Sequence, residues 1–234
     1  QNPRTFGKKF PAHDTINNMN KVHTLVLLSK RQETLHVQTF CCQKPTGFAY
    51  TAGQYFFLSL TIDGKLVRKP LSFSSAPYEE QICFTKRIST SDFSQGLASL
   101  KPGGTVTLEG PLGNFTLPEK PTHIVFIAGG IGITPFRSML LENNRTKKHK
   151  ITLLYGSTAA TEIVFKNELA PFDVRLQIGG TITAEFIKEN IPDYADKLFY
   201  ICGSPAMVTA LCTILQNELC LPNTHITVER LAGY

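Results

Sequence analysis

The chain has 234 residues, 42% of them hydrophobic, with 24 Lys and Arg against 18 Asp and Glu for a formal charge of +6. This is enough chain for one large or two modest domains with proper cores, and too ordinary a composition for a collagen, a repeat array or a disordered tail. No apolar run reaches the length of a bilayer span and Gln1 to Phe10 hold no signal-type stretch, so a soluble, cytoplasmic protein is expected. Opening on Gln1 rather than Met leaves room for residues upstream.

Basic residues gather at the start (Arg4, Lys8, Lys9, Lys21 and Lys30 against Asp14) and again at Arg145-Thr146-Lys147-Lys148-His149-Lys150. Such a surplus steers an acidic protein partner or an anionic ligand. No helix carries base-reading side chains flanked by cations and no aromatic stacking pattern occurs, so nucleic acid is not expected as a partner. The cysteines, at 41, 42, 83, 202, 212 and 220, lack the spacing of a zinc finger or an iron-sulfur site. No metal is expected, and the six are read as free thiols in a reducing compartment. Cys41 and Cys42 are adjacent on a strand pattern and point to opposite faces, so neither a shared metal nor a bond between them is expected.

Taken in order, the first elements are β-rich: Val22 to Leu28, Thr34 to Phe40, Tyr55 to Ile62, Gln81 to Thr85 and Thr105 to Leu108. Asp63-Gly64, Pro102-Gly103-Gly104 and Pro111-Leu112-Gly113 lie between or after these runs, as tight antiparallel connections require. One helix interrupts, near Phe93 to Leu100. After Pro118 strand and helix alternate: Ile124 to Ala128 then Pro135 to Leu141, Ile151 to Tyr155 then Thr161 to Leu169, Val174 to Ile178 then Ala184 to Asn190, Leu198 to Cys202 then Pro205 to Leu219, and finally Ile226 to Glu229. That alternation predicts a doubly wound parallel sheet, and the continuous apolar run Ile-Val-Phe-Ile-Ala suits a strand covered on both faces. The change of pattern sets a boundary near Phe115 to Thr122, and a ligand spanning both halves belongs in the cleft between them.

The most informative run is Gly129-Gly130-Ile131-Gly132-Ile133-Thr134-Pro135, between a buried strand and a helix. Glycines let a backbone turn sharply and approach a ligand, and Pro135 suits a first helical position whose free amides attract anions. A dinucleotide turn is the expectation, with packing alone as the alternative. Two further strand ends, Tyr155-Gly156-Ser157 and Tyr200-Ile201-Cys202-Gly203-Ser204-Pro205-Ala206-Met207, fall on the same carboxyl edge, where open parallel sheets bind ligands. In the first half Gly53-Gln54-Tyr55 opens a strand, Lys69-Pro70-Leu71-Ser72-Phe73-Ser74-Ser75 ends one, Phe93-Ser94-Gln95-Gly96-Leu97 begins the helix, and Gly110-Pro111-Leu112-Gly113 closes the series.

In this order, across about residues 20 to 234, the motifs make the chain resemble the ferredoxin-NADP reductase family. The resemblance implies an antiparallel, flavin-binding β-barrel over residues 1–117 and a nucleotide-binding α/β domain with a doubly wound parallel sheet over 118–234. It puts Ser72 beside flavin N5, Lys69 toward the flavin phosphate and Pro70-Leu71 against the ring. Lys69 and Leu71 depart from the family's usual Arg and aromatic, so the phosphate loses a planar fork, with neighbouring Arg68 as a helper, and the ring loses a stacking partner. Phe93 and Ser94 resemble the helix start that meets the FAD pyrophosphate, which favours FAD over FMN. Gly129, Gly130, Gly132 and Thr134 would line NADH or NADPH, Cys202 and Gly203 would face the nicotinamide with Glu229 nearby, and Tyr234 would cover the flavin. Ser157 to Ala160 and Gly179 to Thr181 are uncharged, which favours NADH, with Lys166 and Arg175 the cations within reach of a 2'-phosphate. The implied activity is hydride transfer from NAD(P)H to FAD and electron release to a separate protein acceptor, and the basic surplus of the chain suits an acidic one. The competing readings are a reductase of free flavins and a nucleotide-binding electron-transfer subunit without its own turnover.

Overall fold

The structure, a computed structural model, describes residues 21–231, so Arg4, Lys8, Lys9 and the expected flavin cover Tyr234 lie outside the described residues. The first half builds six strands: β1 (Val22–Thr34), β2 (Val37–Gln43), β3 (Tyr55–Ile62), β4 (Lys65–Ser72), β5 (Gln81–Arg87) and β6 (Thr105–Leu112). Their order is β4-β3-β6-β1-β2-β5, each pair antiparallel. A bridge between Phe73, which follows β4, and Phe84 of β5 brings the two outer strands together. Alternation turns Leu25, Leu27, Phe40, Phe56, Leu58 and Leu108 inward, each about 0–1% exposed, and fills the barrel. Each such side chain contributes roughly 1.5–3 kcal/mol of burial. Strand β4 is absent from the β-rich runs of the sequence because Lys65-Leu66-Val67-Arg68-Lys69-Pro70 shows no core alternation, and Pro70 is tolerated because this strand is an outer one.

Helix α1 (Asp92–Ser99) starts where Ser91 caps it by accepting from the Ser94 amide, and it buries Phe93 and Leu97.

The second half is a parallel sheet of β7 (His123–Gly129), β8 (Lys150–Ser157), β9 (Asp173–Ile178), β10 (Leu198–Gly203) and β11 (Ile226–Arg230), ordered β11-β10-β7-β8-β9. Its helices are α2 (Ile133–Thr146), α3 (Lys166–Leu169), α4 (Ala184–Asn190) and α5 (Pro205–Thr213). Along β7, Ile124, Phe126 and Ala128 join the cluster that holds Phe136 and Met139 of α2. Val125 and Ile127 join the opposite cluster with Ile187 of α4 and Val208 of α5. The strand is therefore sealed on both faces, as its unbroken apolar run requires. Phe126 stacks on Phe136 with ring centroids 4.3 Å apart, which fixes α2 against the strand that feeds it.

Three local readings change. A 3-10 turn over Gly130–Gly132 precedes α2, so Pro135 is the third residue of that helix and not the first. The span 161–169 is not one helix, because Phe165 takes a left-handed φ of 60° between a 3-10 turn at Ala160–Glu162 and the four-residue α3. After Thr213 the last helix widens into a π turn over Ile214–Glu218.

The expectation of six free thiols is overturned. Cys41 and Cys83 stand directly opposite each other on β2 and β5, with Cα atoms 4.2 Å apart, and are joined as a disulfide. The partners are 42 residues apart and become neighbours only through strand order, which the spacing of cysteines does not encode. Cysteine usage therefore no longer points to a reducing compartment. Cys42, next along, is fully buried while Cys41 is half-buried, as alternation demands. Among the described residues no helix is long and apolar enough to cross a membrane, and no group of His, Cys, Asp and Glu is arranged to hold a metal ion.

Candidate active site at the lobe junction

The turn after β7 is shaped by close packing. A Cβ at Gly129 would lie 2.0 Å from the Met207 sulfur, and one at Gly132 would lie 2.1 Å from the Cys202 carbonyl oxygen. Thr134 is 3% exposed and its hydroxyl donates to the Ile131 carbonyl at 3.0 Å, so it braces the turn from inside. Gly130 is different: its φ is +50° and a Cβ there would meet open space. That space belongs to a hollow of about 250 Å³ bordered by Gly129, Gly130, Ser157, Thr158, Thr181 and Arg87. Arg87 comes from β5 in the barrel and pairs with Glu162 at 3.4 Å, so the hollow has walls from both lobes. Gly132 and Thr134, read from the sequence as nucleotide-lining, do not border it; they hold the turn that does.

Beside this turn, β10 ends in Cys202 and Gly203, with Cys202 opposite Glu229 in the parallel ladder. The Leu231 amide donates to the Gly203 carbonyl at 3.0 Å, and Ser204 caps α5 by accepting from the Met207 amide at 3.3 Å. Burial first, and then the Glu229 carboxylate, hold the Cys202 thiol well above its ordinary range, so it is a neutral thiol, fully buried behind the strand tip and outside the border of the hollow, and not a thiolate. Burial also raises the Glu229 carboxyl. Its folded pKa exceeds its unfolded one, so the folded state keeps a proton that the unfolded chain has released. Stability is therefore full below the ordinary carboxylate range, falls as pH rises through the folded pKa, and is level above it. Glu229→Gln is expected to unfold at a higher temperature than the parent at pH 8, with the gain vanishing as pH falls into the ordinary carboxylate range, as measured by thermal melts across pH.

In the barrel, β4 sends Val67 and Leu71 toward the core and its alternate residues the other way. Ser72 is 7% exposed, and no described residue hydrogen-bonds its hydroxyl. Arg68, expected to help Lys69, is committed elsewhere: it pairs with Glu109 at 2.6 Å and lies 3.6 Å from the centre of the Phe57 ring. The second cation is instead Lys86 of β5, whose ammonium is held below its usual range by burial and then by the charge of Lys69. It stands 6.0 Å from the centre of the Phe93 ring, at the start of α1. Lys69, Lys86 and the α1 amides together make an anion-favouring corner. Phe93 is core and Ser94 is fully buried, its hydroxyl bonded to those of Ser89 at 3.0 Å and Ser91 at 3.1 Å, so these two side chains shape the helix start from beneath. Lys86 escaped the sequence reading because its relation to Lys69 is one of strand packing, with no shared motif.

The lobes are locked by Arg137, on α2 three residues past Thr134. Its guanidinium, 11% exposed, donates to the Ser74 carbonyl at 2.6 Å and to Glu79 at 3.1 and 3.4 Å, all in the barrel. It also donates to Glu168 of its own lobe at 2.7 and 2.6 Å and lies 5.3 Å from the centre of the Phe165 ring. The Tyr200 hydroxyl adds a bond to the Thr116 carbonyl at 3.0 Å. The helix of the nucleotide turn is thus tied to the backbone two residues past Ser72.

Two family models match the chain: an oxidoreductase FAD-binding domain over residues 24–117 and an oxidoreductase NAD-binding domain over residues 126–179. The protein is an NAD(P)H-dependent flavoprotein oxidoreductase with FAD as its flavin. It belongs to the ferredoxin-NADP reductase-like family. Ferredoxin–NADP reductase B of Sorangium cellulosum is 29% identical over 210 residues, which cover 78% of this chain and 86% of that protein. The glycine betaine monooxygenase reductase subunit of Chromohalobacter salexigens is 26% identical over 227 residues, and there the match covers 85% of this chain but only 61% of the relative. A ferredoxin NADP+ reductase from Neisseria gonorrhoeae, solved with bound FAD and NADP, shares the fold with a TM-score of 0.77 at 22% identity, covering 90% of this chain and 98% of that one.

Proposed function

We propose that this chain, divided near residues 117 and 118, takes hydride from NADH onto FAD at the lobe junction and passes the electrons to a separate, acidic electron-transfer protein. The observation that carries this reading is the bond from Arg137 to the Ser74 carbonyl, which holds the nucleotide-turn helix against the strand end of Ser72. The residues fit both cofactors: a free hydroxyl at Ser72, two cations at the α1 corner, and open space above Gly130. FAD, when bound, accepts a hydride and releases its electrons together or singly. Ser72 offers its O–H to flavin N5, Lys69 and Lys86 hold the phosphates, and Leu71, packed against the barrel core, supports the ring's seat from beneath. Gly129 and Gly130 border the dinucleotide, Cys202 and Gly203 form the wall toward the nicotinamide, and Glu229 keeps its proton there to higher pH than an exposed carboxyl. Gly132 and Thr134 act through the turn they brace.

NADH is favoured over NADPH because the hollow's one lining cation, Arg87, is already paired with Glu162. Arg175 is likewise paired, with Asp173 at 2.9 Å, and neither it nor Lys166 borders the hollow. Lys86 makes good the phosphate grip that Lys69 alone would loosen, which supports bound FAD over use of free flavin as a substrate. The relatives named as a ferredoxin–NADP reductase and as a reductase subunit support a protein acceptor. The chain's charge of +6 suits an acidic one.

Protein carried through gel filtration is expected to stay yellow, and anaerobic NADH to bleach the flavin band faster than NADPH does. Ser72→Ala should slow that bleaching roughly tenfold to a hundredfold, the loss of one hydrogen bond made in the transition state, while nucleotide affinity holds. A flavin band that neither nucleotide bleaches would sink the reading.

A further inference from the structure

The Cys41–Cys83 bridge serves no step described above, yet it is not sealed. Both cysteines are half-buried and line an open hollow of about 330 Å³ at the back of the lobe junction, with Arg31, Glu79, Glu80 and Arg137 on its walls. The guanidinium charges there are already spent. Arg31 pairs with Glu33 and Glu168, and Arg137 with Glu79 and Glu168. Among the described residues Glu80 has no ion-pair partner, and nearby Lys44 gives its ammonium to the Pro77 and Glu79 carbonyls at 2.5 and 3.4 Å. On the walls Glu79 and Glu80 face Arg31 and Arg137; with the outer partners Glu33 and Glu168 and the ammonium of Lys44 the cluster holds four carboxylates to three cations, and Glu80 is the wall charge left unmatched, so the approach favours a positive reagent over a negative one.

Opening the bridge leaves its surroundings intact. Strands β2 and β5 are paired through seven registered positions, from Val37 opposite Arg87 to Gln43 opposite Gln81. On the far side the Ser74 amide donates to the Cys83 carbonyl at 2.8 Å and the Cys83 amide donates to the Ser75 hydroxyl at 2.9 Å. The cysteines therefore stay apposed when reduced and can close again. Neighbouring Cys42 is fully buried and its thiol is pushed up to about 12, so it does not intervene as a nucleophile.

We propose that the Cys41–Cys83 bridge is a thiol–disulfide exchange site that takes small aminothiols in preference to anionic thiols. The aminothiol, as thiolate, attacks one bridge sulfur; a mixed disulfide forms and the other cysteine leaves as thiolate. A second aminothiol attacks the outer sulfur, releasing the small disulfide. Both cysteine thiolates take up protons, so that two thiols are oxidised and one protein disulfide is reduced.

The test uses the flavin-loaded protein purified without reductant. Four of its six cysteines should react as thiols after unfolding, and all six after reduction. Exchange rates, corrected to thiolate concentration, are expected to fall from cysteamine through 2-mercaptoethanol to 3-mercaptopropionate. The two extremes should differ by about tenfold at low salt and converge in about 0.5 M salt. Peptide mass should place the trapped adduct on Cys41 or Cys83, and Glu80→Gln should narrow the spread. The Cys41→Ser, Cys83→Ser double variant should take no adduct there and keep its NADH oxidation. Six free thiols in the unreduced protein, a bridge that resists every thiol until the protein unfolds, or rates independent of reagent charge would each overturn the proposal.

Discussion

Gly132→Ala is expected to destabilise the protein by about 3 kcal/mol or more and to abolish NADH-driven flavin reduction, because the turn cannot accept even one methyl group. The cause is distance alone. Gly132 has a helical φ of −60°, open to any residue, but the new Cβ would meet the Cys202 carbonyl oxygen at 2.1 Å and its carbon at 2.6 Å, both backbone atoms of the adjacent strand. Either the tip of β10 or the turn must give way, and the turn borders the hollow at Gly129 and Gly130. Gly130→Ala supplies the contrast: it meets no atom within 4 Å and suffers only the left-handed φ of +50°, worth about 1–2 kcal/mol. Thermal or urea unfolding of the two variants should separate them clearly, with Gly132→Ala the less stable. Equal stabilities would mean that the packing described for this turn is wrong.

Arg137→Ala should slow hydride transfer at least tenfold while leaving the affinity for NADH within about threefold, since the guanidinium borders no part of the nucleotide hollow. It sets the distance between the lobes and is a positioning residue. Truncation leaves Glu79 and Glu168 facing each other across the junction without their shared cation, at a cost of about 2 kcal/mol given that both carboxylates are partly exposed. Arg137→Lys should recover part of the rate, because an ammonium can reach one carboxylate or the Ser74 carbonyl but cannot fork over all three partners. Stopped-flow reduction gives the rate and nucleotide titration of the oxidised protein gives the affinity. A variant that loses affinity and keeps its rate would contradict the role.

The parallel half of the fold was legible because its strands are buried on both faces, so that Ile124 to Ala128 and Leu198 to Cys202 announce themselves as apolar runs. The nucleotide turn was legible for a related reason, three glycines in four positions straight after such a run. What stayed hidden was whatever depends on tertiary neighbours. Strand β4 is an outer strand dominated by Lys and Arg, so its own pattern gives no sign of pairing. Arg137 sits amid ordinary helical residues, and its three hydrogen-bond partners, at 74, 79 and 168, and its ring contact, at 165, are distant in chain order. Lys86 and the Cys41–Cys83 bridge depend on which strand lies beside which. Thr134 is the second residue of α2, and its hydroxyl is directed inward to the Ile131 carbonyl, a choice of rotamer that no motif states.

The strand order β11-β10-β7-β8-β9 has one more outcome. From β7 the chain winds outward to β8 and β9, then doubles back across the sheet to lay β10 and β11 on the other flank. The crossovers leaving β7 and β10 therefore part like two stairways descending from one landing, and neither can roof the gap at their heads. Among the described residues the crevice between them is therefore left open by strand order alone.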